Sequence, residues 1–169
     1  MIESSVRFCV RCGAPVEQQQ RFGRVRPVCP RCDWVFFPDP KVAVTVLVLQ
    51  DGHILLVQRS NEPRLGCWTL PGGFMDAGED PRGAAERECL EETGLHVQVT
   101  HFLQLIHQKR EGPGADLVLY YRAEPRRGEL QAGDDATQVC FFSLTDLPEL
   151  AFITQGIIAA LVRSVGQPV

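Results

Sequence analysis

The sequence predicts an α+β fold with a small cysteine-bearing module ahead of it. Three observations carry that expectation. Residues 42–49 form a nearly continuous, β-branched apolar run that ends at Asp51-Gly52, as a buried strand entering a hairpin would. A carboxylate-rich segment between Pro81 and Gly94 carries helix start and stop signals, with strand-like segments on both sides. Ahead of both, Cys9-Val-Arg-Cys12 and Cys29-Pro-Arg-Cys32 stand in a C-x2-C-x16-C-x2-C pattern.

A chain of 169 residues can build one domain of usual size plus a short appendage. With 44% apolar and 22% charged residues, disorder is not indicated. The apolar run at 42–49 is too short to span a bilayer, and the start, Met-Ile-Glu-Ser-Ser-Val-Arg, lacks the basic-then-apolar layout of a signal peptide. The expected location is cytoplasmic, with no membrane partner. The net charge of −4 is unevenly spread: residues 1–32 hold six Arg against two Glu, while the remainder is strongly acidic. That shift suggests two modules, 1–38 and 39–169.

In the first module, each C-x2-C pair suits a tight knuckle, and Cys9, Cys12, Cys29 and Cys32 together offer four thiolates to a tetrahedral Zn²⁺. Gly13 fits the turn of the first knuckle, and Pro30 is the counterpart expected in the second. Disulfides are the alternative, disfavoured where thiols stay reduced. A four-thiolate site is closed, so its zinc would be structural. The bound ion would trim the module's charge to a weakly basic value, too little to favour nucleic acid. Residues 34–37, Trp-Val-Phe-Phe, are expected to pack this module onto the next.

The second module reads in order as follows. Residues 41–49 and 53–58 are strands, 61–67 a loop, and Gly72-Gly73 a place where backbone can approach a ligand closely. The helix starts near Asp80-Pro81 and ends at Gly94. Residues 95–108 and 116–124 are strands around a hairpin-type loop at 109–114. Residues 125–135 form a polar loop, 138–143 a short strand, and 154–165 a closing helix. Trp68 and Phe74 are read as core residues that flank the loop. Arg59 and Arg64 are secondary candidates for meeting phosphate.

On the helix, Glu88 and Glu92 lie one turn apart, with Glu91 on the neighbouring edge. Glu88 has Ala84 and Glu92 at four residues, so no cation relieves it at that spacing. An acidic run is ordinarily a solvated face. An anionic stripe of this density otherwise calls for an external cation, and oxygen donors suit Mg²⁺ or Mn²⁺.

The whole stretch reads G-x5-E-x7-R-E-C-L-E-E-T-G-L from Gly73 to Leu95. It resembles the signature of the Nudix hydrolases, G-x5-E-x7-R-E-U-x-E-E-x-G-U with U apolar. Gly73, Glu79, Arg87, Glu88, Glu91, Glu92 and Gly94 fill the fixed positions, and Cys89 takes an apolar slot as a small buried hydrophobe. The resemblance implies an αβα sandwich with a mixed sheet, preceded by a small zinc ribbon such as some members carry. It implies Glu88 and Glu92 as core Mg²⁺ ligands, joined by Glu91, Glu79 and the carbonyl of Gly73. Arg87 would orient a glutamate. The general base differs among members: a helix glutamate such as Glu91, or an acid on a distal loop. Glu129, Asp134 and Asp135 are the loop acids here, and Asp135 is the preferred one.

The same resemblance implies hydrolysis of a nucleoside diphosphate linked to another group, a small-molecule substrate. The ribbon points towards NADH pyrophosphatases, but the Ser-Gln-Pro-Trp-Pro-Phe-Pro mark of those enzymes is replaced by Val-Thr-His-Phe-Leu-Gln-Leu-Ile-His. ADP-ribose or FAD therefore ranks first and NADH second. An enzyme that removes RNA caps and a non-catalytic nucleotide-binding regulator are the alternatives from other classes. A homodimer is compatible with the resemblance.

Overall fold

Two knuckles and a hairpin make up the start of the computed structural model, which describes residues 6–108, 114–151 and 158–160. Strands β1 (Glu17–Arg21) and β2 (Arg24–Val28) pair antiparallel, from Glu17 opposite Val28 to Arg21 opposite Arg24. Phe22-Gly23 joins them with both residues at positive φ, 49° and 76°, the conformation a two-residue hairpin turn requires. Pro27 sits opposite Gln18 in β2, whose other edge carries an isolated bridge from Val28 to Val35, with Phe36 N–H donating to Pro27 O at 2.9 Å.

The knuckles repeat one geometry. Gly13 N–H donates to Cys9 O and Asp33 N–H to Cys29 O, both at 2.9 Å, with φ 70° at Gly13 and 54° at Asp33. The second knuckle therefore turns at Asp33, not through Pro30; aspartate tolerates the left-handed region. The aromatics after it make their described ring contacts within this unit. Phe37 packs on Phe22, with ring centroids 5.6 Å apart, and lies beneath the Arg26 guanidinium; Trp34 meets Phe36.

The chain divides into units Met1–Pro40 and Lys41–Val169. In the second unit, strand β3 (Val42–Gln50) runs parallel to β8 (Leu117–Gly128) and meets β4 (His53–Arg59) only at the hairpin. Between β4 and the helix lie two short strands not foreseen from sequence, β5 (Trp68–Thr69) on β4 and β6 (Gly72–Phe74) on β3. After helix α1 (Pro81–Thr93), strand β7 (Leu95–His107) forms the edge beside β8, and β9 (Ala136–Ser143) pairs with β4. The sheet is mixed.

Alternation along β3 explains its continuous apolar reading. Val44, Val46 and Val48 face a core with Leu55 and with Ala84, Ala85 and Cys89 of α1. Leu47 faces the other core with Ile54, Leu56, Leu70 and Ile158. Both faces are covered, so neither register can be polar. Residues 158–160 are helical, and the rest of the expected closing helix at 154–165 lies outside the described residues, as do 109–113 of the expected hairpin loop. The layers agree with the αβα sandwich and mixed sheet the resemblance implies.

One expected loop is shorter than 125–135, because β8 continues to Gly128. Beyond Ala123 it has lost β3 as a neighbour and pairs with β7 alone, so Pro125 sits on an open edge opposite Val97 at a bulge. Among the described residues, no helix is long and apolar enough to cross a membrane.

Candidate active site

The start of α1 is fixed by Asp80, whose carboxylate accepts from Arg82 N–H at 3.0 Å and Gly83 N–H at 3.1 Å, with Pro81 next. Its end is fixed by Gly94, which takes φ 73° and donates to Leu90 O. Ala84, Ala85 and Cys89 have no exposed surface, and burial pushes the Cys89 thiol up to about 11, which keeps it an inert core group. The small residues let the helix lie close to the sheet. Glu86 reaches across to accept from Val99 N–H at 2.8 Å, where β7 bulges.

Arg87 gathers the carboxylates. Its Nε and Nη2 make a bidentate pair with Glu79 at 2.8 and 3.0 Å; Nη1 donates to Glu88 Oε1 at 2.8 Å and to Glu91 Oε2 at 2.9 Å. Nη2 also donates to Phe74 O at 3.2 Å. The hydrogen bonds from Arg87 hold the Glu79 carboxyl down to about 2, and that same pair raises the guanidinium's own proton affinity. The helix therefore does carry a cation for Glu88. The four-residue spacing rule looked past it, since Arg87 is the adjacent residue and reaches sideways.

Glu88 and Glu92 are each bonded through one carboxylate oxygen, to Arg87 and to Gly72 N–H, and keep the other oxygen outside these contacts. Both are buried, 8% and 7% exposed. Burial pushes the Glu88 carboxyl up against the opposing pull of Arg87, and it pushes Glu92 up to about 8, helped by the charges of Glu88, Asp135 and Asp134. Glu92 Oε2 accepts from Gly72 N–H at 2.9 Å. Among the described residues, Glu88 Oε2 and Glu92 Oε1 take no protein hydrogen bond. Two buried carboxylates, each with an oxygen outside the described hydrogen bonds, form a donor set that fits a hard divalent cation.

Gly72 and Gly73 bring the backbone to these acids. Paired with Thr45 and Val44, they hold β6 against β3. A Cβ at Gly73 would stand 2.6 Å from the Glu88 carboxyl carbon, and one at Gly72 would stand 2.8 Å from Thr45 Cα. At Gly72 the clash is with backbone and no side chain fits, whereas at Gly73 the Glu88 carboxylate would have to move aside.

The distal loop is tied to the C-terminal end of α1. Gln131 N–H donates to Thr93 O at 2.9 Å and Gly133 N–H to Glu92 O at 3.3 Å, satisfying carbonyls the helix leaves open. Asp134 follows at φ 48°. Asp135 accepts from Asn61 Nδ2 at 2.6 Å. The distal loop thus runs beside the C-terminal end of α1, and the charges of Asp134 and Asp135 help to push the Glu92 carboxyl up.

Of the two aromatics that flank Gly72-Gly73, Trp68 takes its expected place in the core and Phe74 does not. Trp68 packs edge-on against Phe142 with centroids 4.6 Å apart, within the second core. Phe74 is not a core residue: it is half-exposed, with Lys41 Nζ 5.3 Å from its ring. Arg59 is occupied by its own loop, donating to Pro63 O at 3.0 Å and Asn61 O at 3.4 Å.

In the first unit, the sulfurs of Cys9, Cys12, Cys29 and Cys32 all lie within 4.8 Å of one another. Cys9 faces Cys32 at 3.6 Å and Cys12 faces Cys29 at 3.5 Å. Desolvation would raise the Cys29 thiol, but amides of Cys32 and Arg31 and the neighbouring thiols bring it to about 7. At Cys32 the Trp34 amide pulls down, while desolvation and the other three thiols push up to about 12. Such mutual frustration is what a tetrahedral cation relieves, and the quartet is compatible with a zinc ribbon.

Comparison with known proteins accords with this geometry. A family model described as the NUDIX domain matches residues 39–161. The ADP-ribose pyrophosphatase of Methanocaldococcus jannaschii is 40% identical over 125 residues, covering 73% of this chain and 74% of the relative. The NAD-capped RNA hydrolase NudC of Edwardsiella ictaluri is 38% identical over 95 residues, covering 56% of this chain and 35% of that longer protein. Among solved structures, a NUDIX hydrolase from Nitrosomonas europaea superposes with a TM-score of 0.83 at 27% identity, over 96% of this chain and 95% of the other.

Proposed function

The chain belongs to the NUDIX family of hydrolases, and from that premise we propose that it hydrolyses the pyrophosphate bond of ADP-ribose with the help of Mg²⁺ or Mn²⁺. The observation that carries the reading is the pair of buried carboxylates, Glu88 and Glu92, each with an oxygen that takes no hydrogen bond among the described residues. The likeness to the ADP-ribose pyrophosphatase of Methanocaldococcus jannaschii, over 74% of that relative, supports ADP-ribose ahead of FAD and NADH.

Glu88, Glu92 and the Gly73 carbonyl would hold the cation, with Glu91 and Glu79 beside them. When bound, the ion supplies neutralisation of pyrophosphate charge and activation of water. The chain's own residues do the rest. Arg87 fixes Glu79, Glu88 and Glu91 in one arrangement through its fork of donors. Asp135 takes a proton from the attacking water, its carboxylate held at the edge of the acidic site by the distal loop. The water oxygen bonds to phosphorus, the bridging P–O bond breaks, and its oxygen leaves with the other phosphate. The products are AMP and ribose 5-phosphate. Glu91, half-exposed, is the alternative proton acceptor. In the first unit, Cys9, Cys12, Cys29 and Cys32 would hold structural Zn²⁺.

A second reading, action on NADH or on NAD-capped RNA, is favoured by the likeness to NudC. A panel of ADP-ribose, FAD, NADH and capped RNA, incubated with Mg²⁺ or Mn²⁺ and resolved by mass, tests both. AMP with ribose 5-phosphate from ADP-ribose as the fastest reaction is the expected result. Faster release of AMP from FAD, or of NMNH from NADH, would reassign the substrate, and no cleavage at all would reject the reading.

A further inference from the structure

We propose that Asn61 is a positioning residue that aims the Asp135 carboxylate, an inference that rests on the proposed role of Asp135 as proton acceptor. The two residues lie 74 positions apart, on different loops. Asn61 Nδ2 donates to Asp135 Oδ1 at 2.6 Å, and the neighbouring Ser60 N–H donates to Asp135 O at 2.9 Å. One contact fixes the backbone of Asp135 and the other its side chain.

The loop that supplies Asn61 is itself held. Arg59 N–H donates to Cys67 O and Gly66 N–H to Arg59 O, each at 3.0 Å. The Arg59 guanidinium spans the loop to Pro63 O and Asn61 O, and Gln58 Nε2 donates to Gly66 O at 2.9 Å. On the other side, Gly133 is fastened to Glu92 O, and Ala136 N–H closes the turn onto Gly133 O at 3.0 Å. Asp135 is therefore gripped between the end of β4 and the end of α1.

A carboxylate near the surface rotates freely about its last torsion unless a donor selects one orientation. The Asn61 amide engages Oδ1 and leaves Oδ2 without a described protein partner. A proton acceptor needs this: one oxygen anchored, the other aimed. The neutral amide orients the group without setting a full positive charge beside it, which would weaken it as a base. A mere surface staple between two loops would contribute to melting temperature and leave turnover alone.

The test is a cycle of Asn61→Ala, Asp135→Asn and the double variant, assayed on ADP-ribose at saturating Mg²⁺ with melting curves alongside. Asp135→Asn should lower kcat about 10²–10³-fold, in the range general-base removal gives. Asn61→Ala should lower kcat about tenfold with KM within about twofold, as a misaimed group does. The double variant should be no slower than Asp135→Asn. Asn61→Ser reads the same split if the alanine variant fails to fold. Full kcat in Asn61→Ala beside a slow Asp135→Asn overturns the inference alone, as does an additive loss in the double variant. Full activity in Asp135→Asn overturns both the inference and the reading beneath it, while the assignment of Glu88 and Glu92 stands apart.

Discussion

The Cα of Gly73 faces the Glu88 carboxylate so closely that a methyl group at position 73 would lie 2.6 Å from its carboxyl carbon. Backbone and carboxylate share the space in which the proposed cation is held, so the glycine is a condition of the site and not only of the turn before it.

Gly73→Ala is accordingly expected to displace Glu88 while leaving most of the fold intact. Turnover at limiting Mg²⁺ should fall by about 10–100-fold, the scale on which a misplaced ligand acts. Magnesium titration of activity checks it; an unchanged half-saturation would show that Glu88 has room to spare.

Arg87→Lys should also weaken the site, because an ammonium cannot reproduce the fork that spans Glu79, Glu88 and Glu91. Half-saturation by Mg²⁺ should shift upward by about tenfold, within the range for supporting residues of metal ligands. Glu79, held down to about 2 by Arg87, should titrate at higher pH in Arg87→Ala. Carboxyl-resolved NMR titration reads that change directly.

Glu92 links stability to pH. Its carboxyl is pushed up to about 8, first by burial, so the folded metal-free protein favours the protonated form. The stabilisation is complete below the unfolded value near 4.5 and is lost as pH rises towards 8. Protein dialysed free of Mg²⁺, with the ribbon metal kept, should melt lower at pH 8 than at pH 5.5. Added Mg²⁺ should restore the loss, and Glu92→Gln should flatten this contribution to the pH dependence. A Glu92→Gln slope equal to that of the wild type would remove this carboxyl as the cause.

Stripping the proposed Zn²⁺ from the cysteine quartet should loosen residues 7–33 and leave the glutamate site chemically intact. Structural zinc is worth about 10–16 kcal/mol to isolated zinc-finger peptides, and β1–β2 alone is a marginal two-stranded hairpin. Hydrogen exchange after verified zinc removal should show lost protection at Cys9–Val28 amides with β3 and β8 unchanged. Retained protection in the hairpin, with unchanged melting, would argue against a structural ion.

The helix and its ends were legible because their physics is local. Asp80-Pro81 and Gly94 announce caps that need no tertiary partner, and residues 42–49 show a doubly buried strand by composition alone. The hairpin of the first unit was not legible, since Glu17-Gln-Gln-Gln-Arg21 shows no alternating apolar face. The extension of β8 through Pro125 depends on which neighbour has dropped away, a fact of topology. In the site, spacing brought the glutamates to one helix face but hid how Arg87 joins them. The Asn61–Asp135 contact spans 74 positions and left no local signal.

The most direct test of the central claim compares wild type and Glu92→Gln on ADP-ribose in ¹⁸O-labelled water at limiting Mg²⁺, with products weighed. The wild type should yield AMP and ribose 5-phosphate in equal amounts, one of the two carrying a single labelled oxygen. Glu92→Gln should be slower by about 10²-fold or more, as loss of a metal-holding catalytic group predicts. Near wild-type turnover in the variant, or release of inorganic phosphate in place of this pair of products, would contradict the account.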